Sequence, residues 1–138
     1  MGDDRTDLAE RILESAADAI IFADRSGTIR RWNRASAALF GFSAEEALGQ
    51  SLDLIVPEHL RAAHWRGFDA AMASGALKLA GRPTLTRAQA KGGRKLYVEL
   101  TFALVAGAAG PEGAVAMARD VTERVERERA RAKSTSAA

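Results

Sequence analysis

The only imidazoles in this 138-residue chain belong to His59 and His64, and there is no cysteine. The lack of cysteine excludes disulfides, thiolate metal sites, thiol nucleophiles and cysteinyl-flavin adducts together. His59 and His64 are five residues apart, so they do not share a helix face at i, i+4, and a paired-histidine metal site is not expected. His59 sits near a helix start and should face solvent. His64 is different. Leu60, His64, Phe68, Ala71 and Met72 follow i, i+4, i+8, i+11, i+12, which places His64 inside an apolar stripe turned toward a core or cavity. A neutral imidazole there has two readings. It is a core side chain hydrogen-bonded to a carbonyl, or it is an axial ligand for a haem iron.

Other chemistries lack their residues. The chain has no G-x-S-x-G, no P-loop and no H-E-x-x-H, and Ser26 lies in a turn without a histidine near it in sequence. An enzyme is therefore not expected. The formal net charge is +2 and the charges are scattered. The one dense run, 123–133, alternates acids and bases, which describes a solvated helix face and points away from nucleic acid. No apolar run reaches the roughly 18 residues of a membrane span. The polar, acidic start is not that of a signal peptide, so a cytoplasmic location and no membrane contact are expected. With 47% apolar and 28% charged residues, the composition suits one soluble domain.

Several elements must position the stripe. Leu8, Ile12, Leu13 and Ala16 fall on one face of a helix that Thr6 or Asp7 can cap and that ends near Ala17. The apolar run 19–23, the turn signal 24–27 and the segment 28–32 read as a hairpin. Asn33 follows as a cap for a helix over 34–39. Ser43 and Glu46 have capping-box spacing, with Gly49 as the stop. Pro57 should open a longer helix running to Ser74, with Gly75 ending it. Strands are expected over 84–90, 95–106 and 113–119, with a turn at 91–93 and a loop over 107–113. A last helix starts near Val121, capped by Asp120, and should fray by Ser134. Its apolar pair, Val121 and Val125, is too small for a coiled coil. The order predicts an α+β fold, one five-stranded antiparallel sheet with helices covering one face and a further helix at each end.

That order and its landmarks resemble the PAS family of sensory domains. The hairpin with its capping Asn33, the segment Gly41-Phe42-Ser43-Ala44-Glu45-Glu46 with Gly49, the Lys91-Gly92-Gly93 turn with Val98-Glu99-Leu100 after it, and the exit Arg119-Asp120-Val121-Thr122-Glu123-Arg124 carry the likeness. It spans about residues 8–128. It implies a flanking helix over 1–18, a PAS core over 19–120, and a signalling helix and tail over 121–138.

A narrower resemblance concerns His64. Pro57, Arg61 and His64 have the spacing found in the haem-binding PAS domains of FixL-type oxygen sensors, where the last of the three holds the iron of haem b. The ungapped register also puts Leu79, Leu100 and Phe102 at apolar distal-pocket positions. It departs at the oxygen-contacting arginine, whose position holds Thr84, while Arg82 lies two residues early. Leu60, His64, Phe68, Met72, Leu79, Thr84, Leu100 and Phe102 are thus the candidate cofactor-binding residues, with His64 as the metal ligand.

The family likeness implies a sensory and signal-transduction module of two-component or transcriptional regulation. It would bind a small ligand or partner in its cavity and act through its terminal helices and a homodimer on an effector domain or partner protein. The alternative is a haem-based gas or redox sensor. Leu8, Ile12 and Leu13 offer a dimer contact. Trp65 beside the stripe either covers an edge of the cavity or packs on a strand or second subunit. Tyr97 faces away from Leu96, Val98 and Leu100.

Overall fold

A computed structural model describes residues 4–78 and 81–137. The elements are α1 (Asp4–Ser15), β1 (Ala19–Asp24), β2 (Ile29–Trp32), α2 (Arg34–Phe40), α3 (Ala44–Ala47), α4 (Arg61–Ser74), β3 (Thr84–Gln89), β4 (Lys95–Gly107), β5 (Gly110–Asp120) and α5 (Thr122–Ala137), with 3-10 turns at Leu52–Leu54, Glu58–Leu60 and Lys91–Gly93. The strands form one antiparallel sheet in the order β2-β1-β5-β4-β3. The fold is α+β with the sheet that the family likeness implies.

Local sequence sets the boundaries. Asp24 closes the β1–β2 turn, its Oδ1 accepting from Ser26 N (3.0 Å), Ser26 Oγ (2.6 Å) and Thr28 N (3.2 Å), and its Oδ2 from Arg30 Nε (2.8 Å). Asn33 caps α2 through Ser36 N, and Ser43 with Glu46 completes the capping box of α3. Gly75 ends α4 in the left-handed region at φ 71°.

Alternation along the strands divides the sheet faces. Leu96 and Val98 on β4 and Ala19, Ile21 and Ala23 on β1 are buried, and Phe40 and Ala47 from the helices are buried in the same core as Leu96 and Ile21. One cross-sheet row runs Trp32, Ile21, Ala116, Phe102, and the next runs Ala19, Ala118, Leu100, Thr84.

The other face carries the start of α5. Val121 N donates to Tyr97 O (2.9 Å), and Thr122 Oγ1 accepts from Tyr97 N (2.9 Å). Val121 and Val125 are buried, while the Tyr97 ring takes the guanidinium of Arg129 at 4.9 Å and of Arg87 at 5.8 Å. Tyr97 is therefore half-buried under the protein's own last helix.

Several boundaries differ from the sequence reading. The 107–113 loop is strand except for Ala108 and Ala109, because Gly107 pairs with Gly110 and Ala106 with Pro111. Pro111 lies beyond the end of β1, whose Asp24 pairs with Gly113, so its missing N–H breaks no bond on that side. The segment after Pro57 is a 3-10 turn before α4 begins at Arg61. α1 stops at Ser15 and α2 extends through Phe40, while Gly49, left-handed at φ +87° directly after the cap residue Leu48, stands as the expected stop of α3. α5 continues past Ser134 to Ala137, with Thr135 Oγ1 donating to Arg131 O at 3.0 Å.

Candidate functional site

The site is formed by α4 and the sheet face beneath the helices. Arg61 fixes the start of α4 to the segment before it, its Nε donating to Val56 O (3.0 Å) and its Nη2 to Asp53 O (3.1 Å). With that end fixed, Arg61, His64, Trp65, Phe68, Ala71 and Met72 are buried or half-buried, whereas Ala62, Ala63, Arg66, Gly67, Asp69 and Ala70 are exposed. The stripe read from the spacing is the face turned into the protein. Leu60, in the 3-10 turn just before α4, continues it and is half-buried, and His59 is exposed.

His64 lies among aromatic rings. Its centroid is 4.7 Å from that of Trp65 in a T-shaped contact and 6.1 Å from that of Phe68, and the Trp65 and Phe68 rings are 5.4 Å apart. Its Nδ1 is buried with no hydrogen-bond partner. The carbonyl partner expected of a core histidine is thus missing at that nitrogen, a deficit of about 1–3 kcal/mol for a buried polar atom. Burial pulls the His64 pKa below its usual 6.5, against the opposing charges of Asp53 and Asp69. The ring is held neutral, the form that ligates metals.

Trp65 is anchored at both ends of its indole. Nε1 donates to Asp53 Oδ1 at 2.8 Å, and Asp53 also faces Arg61 Nε at 3.8 Å. The six-membered ring covers Gly27 in the β1–β2 turn so closely that a Cβ there would stand 2.2 Å from Cη2. Trp65 thus packs on the turn between β1 and β2, and not on a strand. Sequence spacing could not locate this cluster, because Gly27, Asp53 and Trp65 come from three separate segments.

On the sheet side, Thr84 and Leu100 are register partners, and Phe102 follows two residues along β4 on the same face; all three are half-buried. Leu100 also packs on the main core. α4 approaches the sheet at β5, the strand paired with β4. The site residues therefore form two groups, Leu60, His64, Phe68 and Met72 on the helix side and Thr84, Leu100 and Phe102 on the sheet side. Leu79 lies outside the described residues. Arg82 is exposed and precedes β3, which begins at Thr84, so Arg82 does not share that strand's face.

In donor chemistry these residues fit a haem on its ligand side. His64 supplies a neutral imidazole inside an apolar wall. They do not supply a cation at position 84, where a threonine stands. Among the described residues no group of three or more His, Cys, Asp or Glu could hold a metal ion, and no helix is long and apolar enough to cross a membrane.

Comparison with known proteins agrees with this architecture. The family described as the PAS fold matches residues 13–126. An uncharacterized protein of Azorhizobium caulinodans is 31% identical over 120 residues, covering 86% of this chain and 16% of that protein. The sensor protein FixL of Bradyrhizobium diazoefficiens is 40% identical over 53 residues, covering 38% of this chain and 10% of its own. The chain thus spans a small part of the length of the relatives it matches. The crystal structure of a PAS domain from Colwellia psychrerythraea superposes with a TM-score of 0.74 at 24% identity, covering 88% of this chain and 99% of that one.

Proposed function

This chain belongs to the PAS family, and from that premise we propose that it is a sensory module that converts ligand or partner binding beneath its helices into movement of its terminal helices. The observation that supports this most directly is the junction of sheet and helix. β5 passes into α5 through Val121, and Tyr97 on β4 bonds both Val121 and Thr122. A shift of β4 or β5 is thereby a shift of the root of α5. The domain itself is assigned no reaction, and its output passes to an effector domain or partner protein and through a homodimer formed by the terminal helices. A chimaera carrying a histidine kinase core after Arg131 tests this. Thr122→Val should change kinase output several-fold while the domain stays folded, and unchanged output would sink the reading.

A second reading is favoured by His64 itself, a neutral imidazole on the inward face of α4 among apolar and aromatic side chains. The ligand is then a haem held by His64, with Leu60, Phe68 and Met72 as candidate contacts on the helix side and Thr84, Leu100 and Phe102 on the sheet side. A bound haem would supply an iron able to take a diatomic gas or change oxidation state. Thr84 offers a hydroxyl in place of a guanidinium, which argues against stabilising bound oxygen by charge. Hemin titration should give a strong Soret band that His64→Ala weakens. Full occupancy in His64→Ala would exclude His64 as the ligand.

A further inference from the structure

We propose that Trp65 is the positioning residue for His64, fixing the plane of its imidazole and tying it to the β1–β2 turn. A histidine ring turns about a broad, soft χ2 torsion. A metal-ligating histidine is usually oriented by a hydrogen bond to its other nitrogen. Here Nδ1 is buried without such a bond, so neighbouring surfaces must set the ring plane. Trp65 meets the imidazole edge-to-face at 4.7 Å and an interplanar angle of 75°.

Trp65 can act as a wall because it is itself held. Its Nε1–H donates to Asp53 Oδ1 at 2.8 Å, and the far edge of the indole lies on Gly27. Gly27 and Asp53 are parts of one assembly, since Leu52 N donates to Gly27 O at 3.1 Å and Thr28 bridges Ser51. The hairpin turn, the 3-10 turn containing Asp53 and the indole therefore fix the imidazole from one side, while Phe68 lies 6.1 Å from it. An imidazole displaced by a ligand must move the indole, and the indole has no free space toward Gly27.

The proposal rests on His64 being the ligand-holding group, and the experiment separates the two claims. In the haem-free protein, ring 15N and 1H resonances of His64 and its cross-relaxation with Phe68 report ring orientation. Trp65→Phe keeps an aromatic ring but loses the N–H and the reach to Gly27. Asp53→Ala removes the acceptor, and Asp53→Asn keeps one. Trp65→Phe and Asp53→Ala should broaden or lose the Phe68 cross-peak, whereas Asp53→Asn, which loses the same charge as Asp53→Ala but keeps an acceptor for Trp65 Nε1, should retain it.

In a second arm, hemin loss to a scavenging globin should quicken about tenfold in Trp65→Phe, the low end for losing a ligand-orienting partner. If the parent binds no hemin, the haem reading fails and the resonance arm alone decides the role of Trp65. Unchanged His64 signals in a folded Trp65→Phe, or a Phe68 cross-peak lost in Asp53→Asn as fully as in Asp53→Ala, would overturn the proposal. Should Trp65→Phe not fold, the Asp53 pair makes the same decision.

Discussion

Asn33 joins α1, β1 and α2 through one buried amide. Its Oδ1 accepts from Ile20 N (2.9 Å), Ser36 N (3.0 Å) and Ser36 Oγ (2.8 Å), and its Nδ2 donates to Leu13 O (2.9 Å) and Asp18 O (3.1 Å). Asn33→Ala removes a cap and leaves buried backbone groups unpaired, so urea unfolding should show a loss of roughly 2–4 kcal/mol. The capping role was legible because cap and helix are neighbours in sequence. The bonds back to Leu13, Asp18 and Ile20 were not, because no local spacing marks them. Two acid-sensitive windows also belong to single residues. The Ser26 hydroxyl, then Arg30 and the Thr28 and Ser26 backbone, hold the Asp24 carboxyl well below the usual carboxylate range. Its stabilising contribution is present above the unfolded pKa of about 3.9 and is lost as pH falls below it. His64 has its pKa lowered by burial, so the unfolded chain takes up that proton first and stability drops as pH falls below about 6.5. Denaturation at stepped pH should lose the lower slope in Asp24→Asn and the upper one in His64→Phe.

Elements were easiest to read where a cap or glycine interrupts a periodic run, and hardest where composition misleads. The Gly- and Ala-rich 107–113 stretch has the residues of a loop, yet its glycines let β4 and β5 pair almost to their tips. Gly113 shows why: a Cβ there would meet Ala23 O at 2.0 Å, so the close approach of β5 to β1 needs glycine. Gly27 combines a φ of +80° with the indole above it. Gly27→Ala should cost roughly 3 kcal/mol or more, from left-handed strain plus overpacking. In a Trp65→Phe background only the strain should remain, so the double-mutant cycle isolates the contact. The root of α5 is a similar local device. Val125→Asp puts a charge at a 6% exposed position. It should free α5 while the strands hold, seen as hydrogen exchange that quickens in the helix first.

The whole sheet was legible because a hairpin, then helices, then three strands leave few ways to pair the two strand groups. The clustering of Trp65 with Asp53 and Gly27 was not, since only the folded chain brings those segments together. α1 is an amphipathic helix with no buried residue, leaving Leu8 48% and Ile12 60% exposed. In the proposed homodimer those side chains meet a second copy. Light scattering should find a dimer for the parent and a monomer for Leu8→Glu/Ile12→Glu, with unchanged circular dichroism because nothing buried is altered. A parent that stays monomeric at high concentration would remove that contact from the reading. α5 has 16 residues, about 24 Å at 1.5 Å per residue, and its buried contacts lie at its root. In the proposed signalling role such a rod would work as a lever arm with its fulcrum at Val121. By the same dimensions a tilt of about 10° at the fulcrum sweeps the far tip through about 4 Å, so in the proposed signalling role a small shift of the interior strands β4 and β5 becomes a larger displacement at the far end of α5.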